Sequence, residues 1–173
     1  MALPLLHTAR LTIRPLTLGD LDAFAAIFTD AETMAAYGRT FTRDESRGWI
    51  DRSLMRYERD GFALFAVELA ADGTYVGDCG PSIQVVDGVD ELEIGWHIRR
   101  DLWGRGYATE AALALRDWVF DDLGRDRLIS LVEPSNAASC RMAEKIGMRV
   151  EREAVVFGRP HRVYAMAQGD RAR

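Results

Sequence analysis

The run ELEIGWHIRRDLWGRGYATEAALALRDWVF, from Glu91 to Phe120, decides how the rest of the chain is read. Its first part, Glu91 to Ile98, alternates: Leu92, Ile94, Trp96 and Ile98 fall on one face, which is the period of a half-buried strand. From about Tyr107 to Leu123 the apolar residues Ala108, Ala111, Ala112, Leu115, Trp118 and Val119 recur at helical spacing. Between the two, in the turn Leu102 to Gly106, Gly104 and Gly106 remove two side chains where strand becomes helix. Amides at a helix start are unpaired and partly positive, and they hold a pyrophosphate where no Cβ blocks its approach. The stretch therefore predicts an anion cradle; the plainer alternative is a turn that only needs small residues. Two nucleotide fingerprints do not fit. A P-loop needs a Lys-Ser/Thr pair after the second glycine, and Tyr107-Ala108 stand there. A dinucleotide-binding fingerprint needs Gly or Ala three residues after Gly106, and Thr109 stands there.

The run Trp103-Gly104-Arg105-Gly106-Tyr107-Ala108-Thr109-Glu110-Ala111 resembles the acyl-CoA-binding motif of the GNAT N-acetyltransferases, in particular the RimJ/RimL-like branch. Two further blocks carry the resemblance: Pro134 to Ser139 with Glu144-Lys145-Ile146-Gly147-Met148, and Leu11 to Leu16 with the Thr-led helix behind it. It extends from about Thr8 to Ala165. One departure stands out, because the motif usually opens with Gln or Arg three residues before its first glycine and this chain has Asp101.

The 173 residues fit one domain, residues 1–173, with room for a real core. Hydrophobic residues at 48% and charged residues at 28% describe an ordinary globule. A net charge of −5 gives no basic field for nucleic acid and favours cationic acceptors, if it is more than a solubility feature. Cys79 and Cys140 form neither a disulfide framework nor a zinc pattern, so no metal is expected and a reducing, cytoplasmic setting is. Met1 to Arg10 is too short and interrupted for a signal peptide, and no apolar run has the length of a membrane span.

Along the chain, Leu11 to Leu16 reads as a strand, and Thr17 caps a helix to about Thr29. After an irregular Asp30 to Phe41, a second helix covers about Arg43 to Arg59 and stops at Asp60-Gly61. Phe62 to Leu69 and Thr74 to Gly80 pair through Asp72-Gly73, with Pro81 expected to bend or end the second strand. Asp87-Gly88 turns into the Glu91 strand. Beyond the Tyr107 helix come a strand at Arg127 to Val132, a helix from about Asn136 to Ile146, and strands near Arg149 to Phe157 and Arg162 to Ala167, joined by Gly158-Arg159-Pro160. The order β α α β β β α β α β β is an α/β (α+β) arrangement: a mostly antiparallel mixed sheet with one βαβ crossover, which makes the Glu91 and Arg127 strands parallel neighbours. The resemblance implies that these two strands splay to admit acyl-CoA.

The resemblance also implies a set of roles. Gly104, Arg105 and Gly106, with Trp103, Tyr107 and Ala108 beside them, hold the pyrophosphate of acetyl-CoA, Arg105 either adding charge or standing idle in solvent. The amides of Trp96, His97 and Ile98 meet the thioester carbonyl and the pantetheine. Glu93 alternates away from the apolar set and is the first candidate for the base; the alternative is a solvated glutamate on a half-exposed strand. Glu91 is the reserve. His97, on the same face and with an ordinary pKa of about 6.5, is a secondary candidate. Where many GNAT enzymes carry a tyrosine seven residues after the Asn136 equivalent, this chain has Ala143. Ser139 lies one turn earlier on the same helix face and takes its place beside the leaving sulfur, unless it only packs the helix. Asn136 caps that helix and contacts pantetheine. Tyr37, Phe41, Arg159 and His161 are expected to line the acceptor site. The expected activity is direct acetyl transfer to a primary amine, on a protein N-terminus or a small molecule, with no nucleic acid or membrane partner. The resemblance also allows a homodimer. The competing expectation is a non-catalytic acyl-CoA sensor, which needs the cradle but neither Glu93 nor Ser139.

Overall fold

The computed structural model describes residues 3–171. The strands are β1 (Leu6–His7), β2 (Leu11–Pro15), β3 (Phe65–Leu69), β4 (Tyr75–Val86), β5 (Val89–Ile98), β6 (Arg127–Val132), β7 (Arg149–Val156) and β8 (Arg159–Ala167). The α-helices are α1 (Leu21–Phe28), α2 (Arg43–Asp60), α3 (Tyr107–Asp121) and α4 (Ala137–Lys145). All eight strands form one sheet in the order β1-β2-β3-β4-β5-β6-β8-β7, antiparallel except at β5–β6. The expected order of elements is therefore present, with the two-residue β1 added at the edge, too short to leave a periodic signature.

Local chemistry explains the boundaries. The stretch Thr42-Arg43-Asp44-Glu45 starts α2 with reciprocal caps: Thr42 Oγ1 accepts from the Glu45 amide at 3.2 Å, and Glu45 Oε2 accepts from the Thr42 amide at 2.7 Å. Two two-residue turns, Asp87-Gly88 and Phe157-Gly158, have positive φ at both positions (52° and 80°, 53° and 73°), which suits the twist of the strands they join. The last hairpin therefore turns at Phe157-Gly158, and Arg159 and Pro160 belong to β8. That corrects the expected Gly158-Arg159-Pro160 turn.

A second correction has the same cause. Pro81 neither bends nor ends its strand; β4 continues to Val86. β3 begins at Phe65, opposite Cys79, so from Gly80 onward β4 has a strand partner only in β5. Pro160 sits likewise in β8, beyond the Val132–Arg162 pair where β6 ends. Each proline lies just past the end of a neighbour, where a strand can spare a donor.

The two sheet faces carry separate cores. α3 and α4 bury Ala111, Leu115, Val119, Ala143 and Ile146 against Leu92, Ile94, Leu128 and Tyr164. On the other face α1 and α2 bury Phe24, Phe28 and Ile50 with Leu64, Ala66 and Tyr75. The chain approaches β4 very closely at Gly80, where an added Cβ would stand 2.2 Å from the Ala63 carbonyl oxygen and 2.8 Å from Leu64 Cα. Gly80→Ala should therefore lower unfolding stability in urea by about 1–3 kcal/mol, the usual cost of forcing atoms into a packed site. A variant as stable as the parent would mean that this crossing is looser than described.

Candidate active site

The parallel pair β5–β6 meets at a single register point, Glu93 opposite Ile129. Past it β5 remains paired to β4 as far as Ile98, and β6 remains paired to β8 as far as Val132, but they no longer pair with each other. The opposite ends are tied by charge. Arg127 Nε donates to Glu91 at 2.9 Å and its Nη2 to Glu151 at 2.8 Å, and Arg152 adds contacts to Glu91 (3.6 Å) and Asp87 (3.3 Å). The sheet is thus stitched at one end and open at the other. Glu91, the reserve base, is occupied in this stitch.

The open end leads to the turn before α3. Gly104 and Gly106 have φ of 75° and 80°, a left-handed backbone that strains any side chain with a Cβ. A Cβ added at Gly104 would meet nothing within 4 Å, so the backbone there faces free space. Gly106 is the N-cap of the 15-residue α3 and contributes no capping side chain, leaving the first-turn amides available. The turn is braced from two sides. Arg10 donates through Nη1 to the Arg105 carbonyl at 2.9 Å, pairs through Nη2 with Glu110 at 2.6 Å, and its Cζ lies 4.6 Å over the Tyr107 ring. Trp103, although 45% exposed, donates its indole N–H to the Ile98 carbonyl at 2.7 Å. The unusual Asp101 is neutralised by Arg99 at 2.9 Å, and its carbonyl accepts from Arg105 at 3.4 Å. The Arg105 guanidinium therefore leans back along the turn. A pyrophosphate fits this cradle, because two side chains are missing and the local acid already has a partner.

Glu93 shares its face of β5 with Gly95 and His97, away from the core formed by Leu92, Ile94 and Ile98. Burial raises its carboxyl above the ordinary 4.5, opposed in part by Gln84, the Leu131 backbone, His97 and Arg56. Opposite it on β4 lies Ser82, which accepts a hydrogen bond from Gln84 at 3.1 Å.

His97 is enclosed on all sides. Its Nδ1 is 2.7 Å from Asp78 Oδ1 and its Nε2 is 2.7 Å from the Tyr37 hydroxyl, within a cage of Phe28, Tyr37 and Trp49 rings. Both ring nitrogens are engaged, so accepting a proton from a substrate would first require breaking the Tyr37 contact. Tyr37 is 41% exposed, but its hydroxyl end reaches this buried histidine, and burial, then the charges of Glu93 and Asp78, push its pKa upward. Phe41 is buried in the same cluster under the Arg39 guanidinium.

Arg159 and Tyr37 together fasten the connection between α1 and α2. Arg159 Nη1 donates to the Ala36 carbonyl at 2.6 Å and its Nη2 to Glu133 at 2.8 Å, just past the end of β6. Tyr37 holds the same loop to β5. One loop therefore bridges the two strands on either side of the gap. His161 stands beside this anchor, with Nδ1 3.0 Å from the Arg159 carbonyl. Across the gap, Asn136 caps α4 by accepting the Ser139 amide at 3.1 Å, which leaves its side-chain NH2 available. The Ser139 hydroxyl has no hydrogen-bond partner among the described residues.

Asp78, Arg10 and Glu133 complete the site, and none was among the expected residues. A signal for Asp78 existed: counting outward from the two-residue Asp87-Gly88 turn pairs Asp78 with His97. Arg10 and Glu133 come from distant segments whose meeting no local pattern announces.

A mixed sheet opened between parallel strands therefore lies beside a helix start cleared of side chains. Residues 10–149 match the model of the acetyltransferase (GNAT) domain, and the chain belongs to that family. Uncharacterized protein YkkB of Bacillus subtilis (strain 168) is 32% identical over 141 residues, 82% of each chain. An acetyltransferase from Agrobacterium tumefaciens str. C58 is 30% identical, with a TM-score of 0.85 over 97% of this chain and 96% of that one. RimJ of Mycobacterium smegmatis, solved with CoA-disulfide, shares the fold at 21% identity, with a TM-score of 0.74 over 92% of this chain and 82% of that one. The protein is an acyltransferase of GNAT type, and acetyl-CoA is its acetyl donor.

Gly104→Ala should weaken CoA binding at least about tenfold by calorimetry, with a stability loss of about 1 kcal/mol from the left-handed backbone. Unchanged affinity would remove the cradle from this turn.

Proposed function

We propose that this protein transfers an acetyl group directly from acetyl-CoA to a primary amine, with Glu93 as the base and Ser139 beside the departing sulfur. The observation that carries this is the position of Glu93: it occupies the one residue pair at which β5 and β6 still meet, so its carboxyl stands at the root of the gap. Acetyl-CoA supplies the acyl group and a thiolate leaving group. Gly104 to Gly106 and the first amides of α3 would hold its pyrophosphate. Beyond Glu93, β5 has a strand on one side only; backbone groups alternate along it, so the His97 amide and carbonyl face β4, while those of Trp96 and the Ile98 amide face the gap and are available to pantetheine and the carbonyl oxygen.

Glu93 takes a proton from the attacking amine, directly or through water, as the new C–N bond forms and the C–S bond breaks. A carboxyl raised by burial is a stronger base than an ordinary one and suits this role. The Ser139 hydroxyl, which has no other partner among the described residues, donates a hydrogen bond to the thiolate as it leaves. His97 holds Tyr37 and through it the loop over the acceptor side. The acceptor is a small amine or a protein N-terminus.

Glu93→Gln should lower kcat/KM by about 10²-fold or more, in line with loss of a general base. In the parent, kcat/KM should fall as pH drops through a pKa above the ordinary glutamate value of 4.5, because only the deprotonated carboxyl accepts the proton. The same substitution should change stability in a defined direction. A carboxyl whose pKa is raised by folding costs stability once it ionises, so Glu93→Gln should be more stable than the parent at pH above the folded pKa. That gain should vanish below 4.5, where the unfolded carboxyl is protonated too. A flat pH–rate profile, with no gain in melting temperature at neutral pH, would assign the proton transfer elsewhere.

A further inference from the structure

α2 lies beside β5 and runs against it. Near its start, the Trp49 ring is 6.0 Å from His97; near its end, Arg56 senses the charge of Glu93. The distances agree, since seven helical residues and four strand residues cover similar lengths, about 10 and 13 Å. Trp49, Arg52 and Arg56 therefore follow one edge of α2, at i, i+3 and i+7, along the Glu93 face of β5. Arg52 lies over the Trp49 ring at 5.2 Å. Among the described residues neither Arg52 nor Arg56 forms an ion pair or a hydrogen bond.

Arg125, Arg141 and Arg149 share that lack of partners, but Arg52 and Arg56 stand on the helix that faces Glu93. Acidic residues outnumber basic ones, 27 to 22, and most arginines here have an acid partner, including Arg59 two turns past Arg52. Asp60, the carboxylate nearest Arg56 on its own helix, is already held by Arg59 at 2.6 Å. Arg56 is only half-exposed, and burial, then the like charges of Arg52 and Arg59, lower its pKa. Two like charges one helical turn apart repel, and a bound anion would relieve both this repulsion and the desolvation.

We infer that Arg52 and Arg56 bind an anionic group of the acceptor, so that the substrate is a small molecule carrying both a primary amine and a carboxylate or phosphate. The inference rests on Glu93 receiving the amine: the carboxylate on β5 faces the ammonium end and the arginines of α2 face the anionic end. Guanidinium groups suit both anions because their paired N–H donors match two oxygens. A small acceptor is favoured because the α1–α2 loop is fastened across the gap by Tyr37 and Arg159, which narrows the approach for a polypeptide.

The test compares kcat/KM for two acceptor pairs, an α-amino acid against its amide and ethanolamine phosphate against ethanolamine. It also measures calorimetric binding of an N-acetylamino acid and its amide to the CoA-loaded protein. The parent should prefer the charged member of one pair by about tenfold or more, the value of a charge-assisted hydrogen bond, and that pair identifies carboxylate or phosphate. The preference should shrink in Arg52→Gln and Arg56→Gln, persist in part in Arg56→Lys, and leave the KM for acetyl-CoA unchanged. Equal values within both pairs, or a preference that survives the double glutamine variant, would overturn the inference. If no acceptor is turned over but the N-acetylamino acid still binds better than its amide, and only while Arg56 is present, the anion site stands and the assignment of Glu93 fails.

Discussion

Everything at the site depends on the one residue pair at which β5 and β6 touch. Parallel neighbours normally pair along their length, with evenly spaced bonds. Here each strand is committed to an antiparallel partner on its outer side, β4 for β5 and β8 for β6, and the shared boundary holds only at Glu93 and Ile129. The Glu91–Arg127–Glu151 ion pairs keep the near ends together, and among the described residues no ion pair joins β5 to β6 at the far ends. A partly exposed ion pair contributes little to stability by itself. Its value here is positional, because it decides which end of the crossover opens.

The open end is then furnished by three segments that approach from different directions. The glycine turn before α3 comes along β5, α4 starts where β6 stops, and the α1–α2 loop crosses from the other face of the sheet. Arg159 is the point at which two of these meet, since one guanidinium joins the loop at Ala36 to Glu133 past the end of β6. Arg10 does the same for the turn, linking the Arg105 carbonyl to Glu110 of α3. Both are arginines from a neighbouring strand end that tie down backbone carbonyls of a connection lacking a regular partner.

Much of this was legible in the residues. The alternation of Glu91 to Ile98, the helical spacing after Tyr107 and the paired glycines between them mark the crossover and its turn, because each is a local signal. The hairpin at Asp87-Gly88 even carries the register that sets Asp78 against His97. What could not be read is where a neighbouring strand ends. Pro81 and Pro160 look like strand breakers as long as each is assumed to have partners on both sides, and both sit inside strands because β3 and β6 stop just short of them. For the same reason His97 looked free to accept a proton: Tyr37 comes from sixty residues away, and nothing near His97 in the chain foretells it.

The two acids on the α1–α2 face of β4 and β5 are treated in opposite ways. Asp78 is fully buried and has His97 as its partner at 2.7 Å, with one oxygen left without a hydrogen bond. Its contact organises a histidine, a tyrosine and the loop that carries the tyrosine. Glu93, four residues along β5 from His97, has no ion-pair partner among the described residues, and burial raises its pKa. Arg56, on the facing helix, has no partner among the described residues either, although the charge of Glu93 acts on it. An acid and a base held near one another but unpaired, beside a gap in the sheet, keep two charges available to a third molecule. Charge pairing is left incomplete in natural proteins chiefly where function requires it, and here it is incomplete on both sides of the same space.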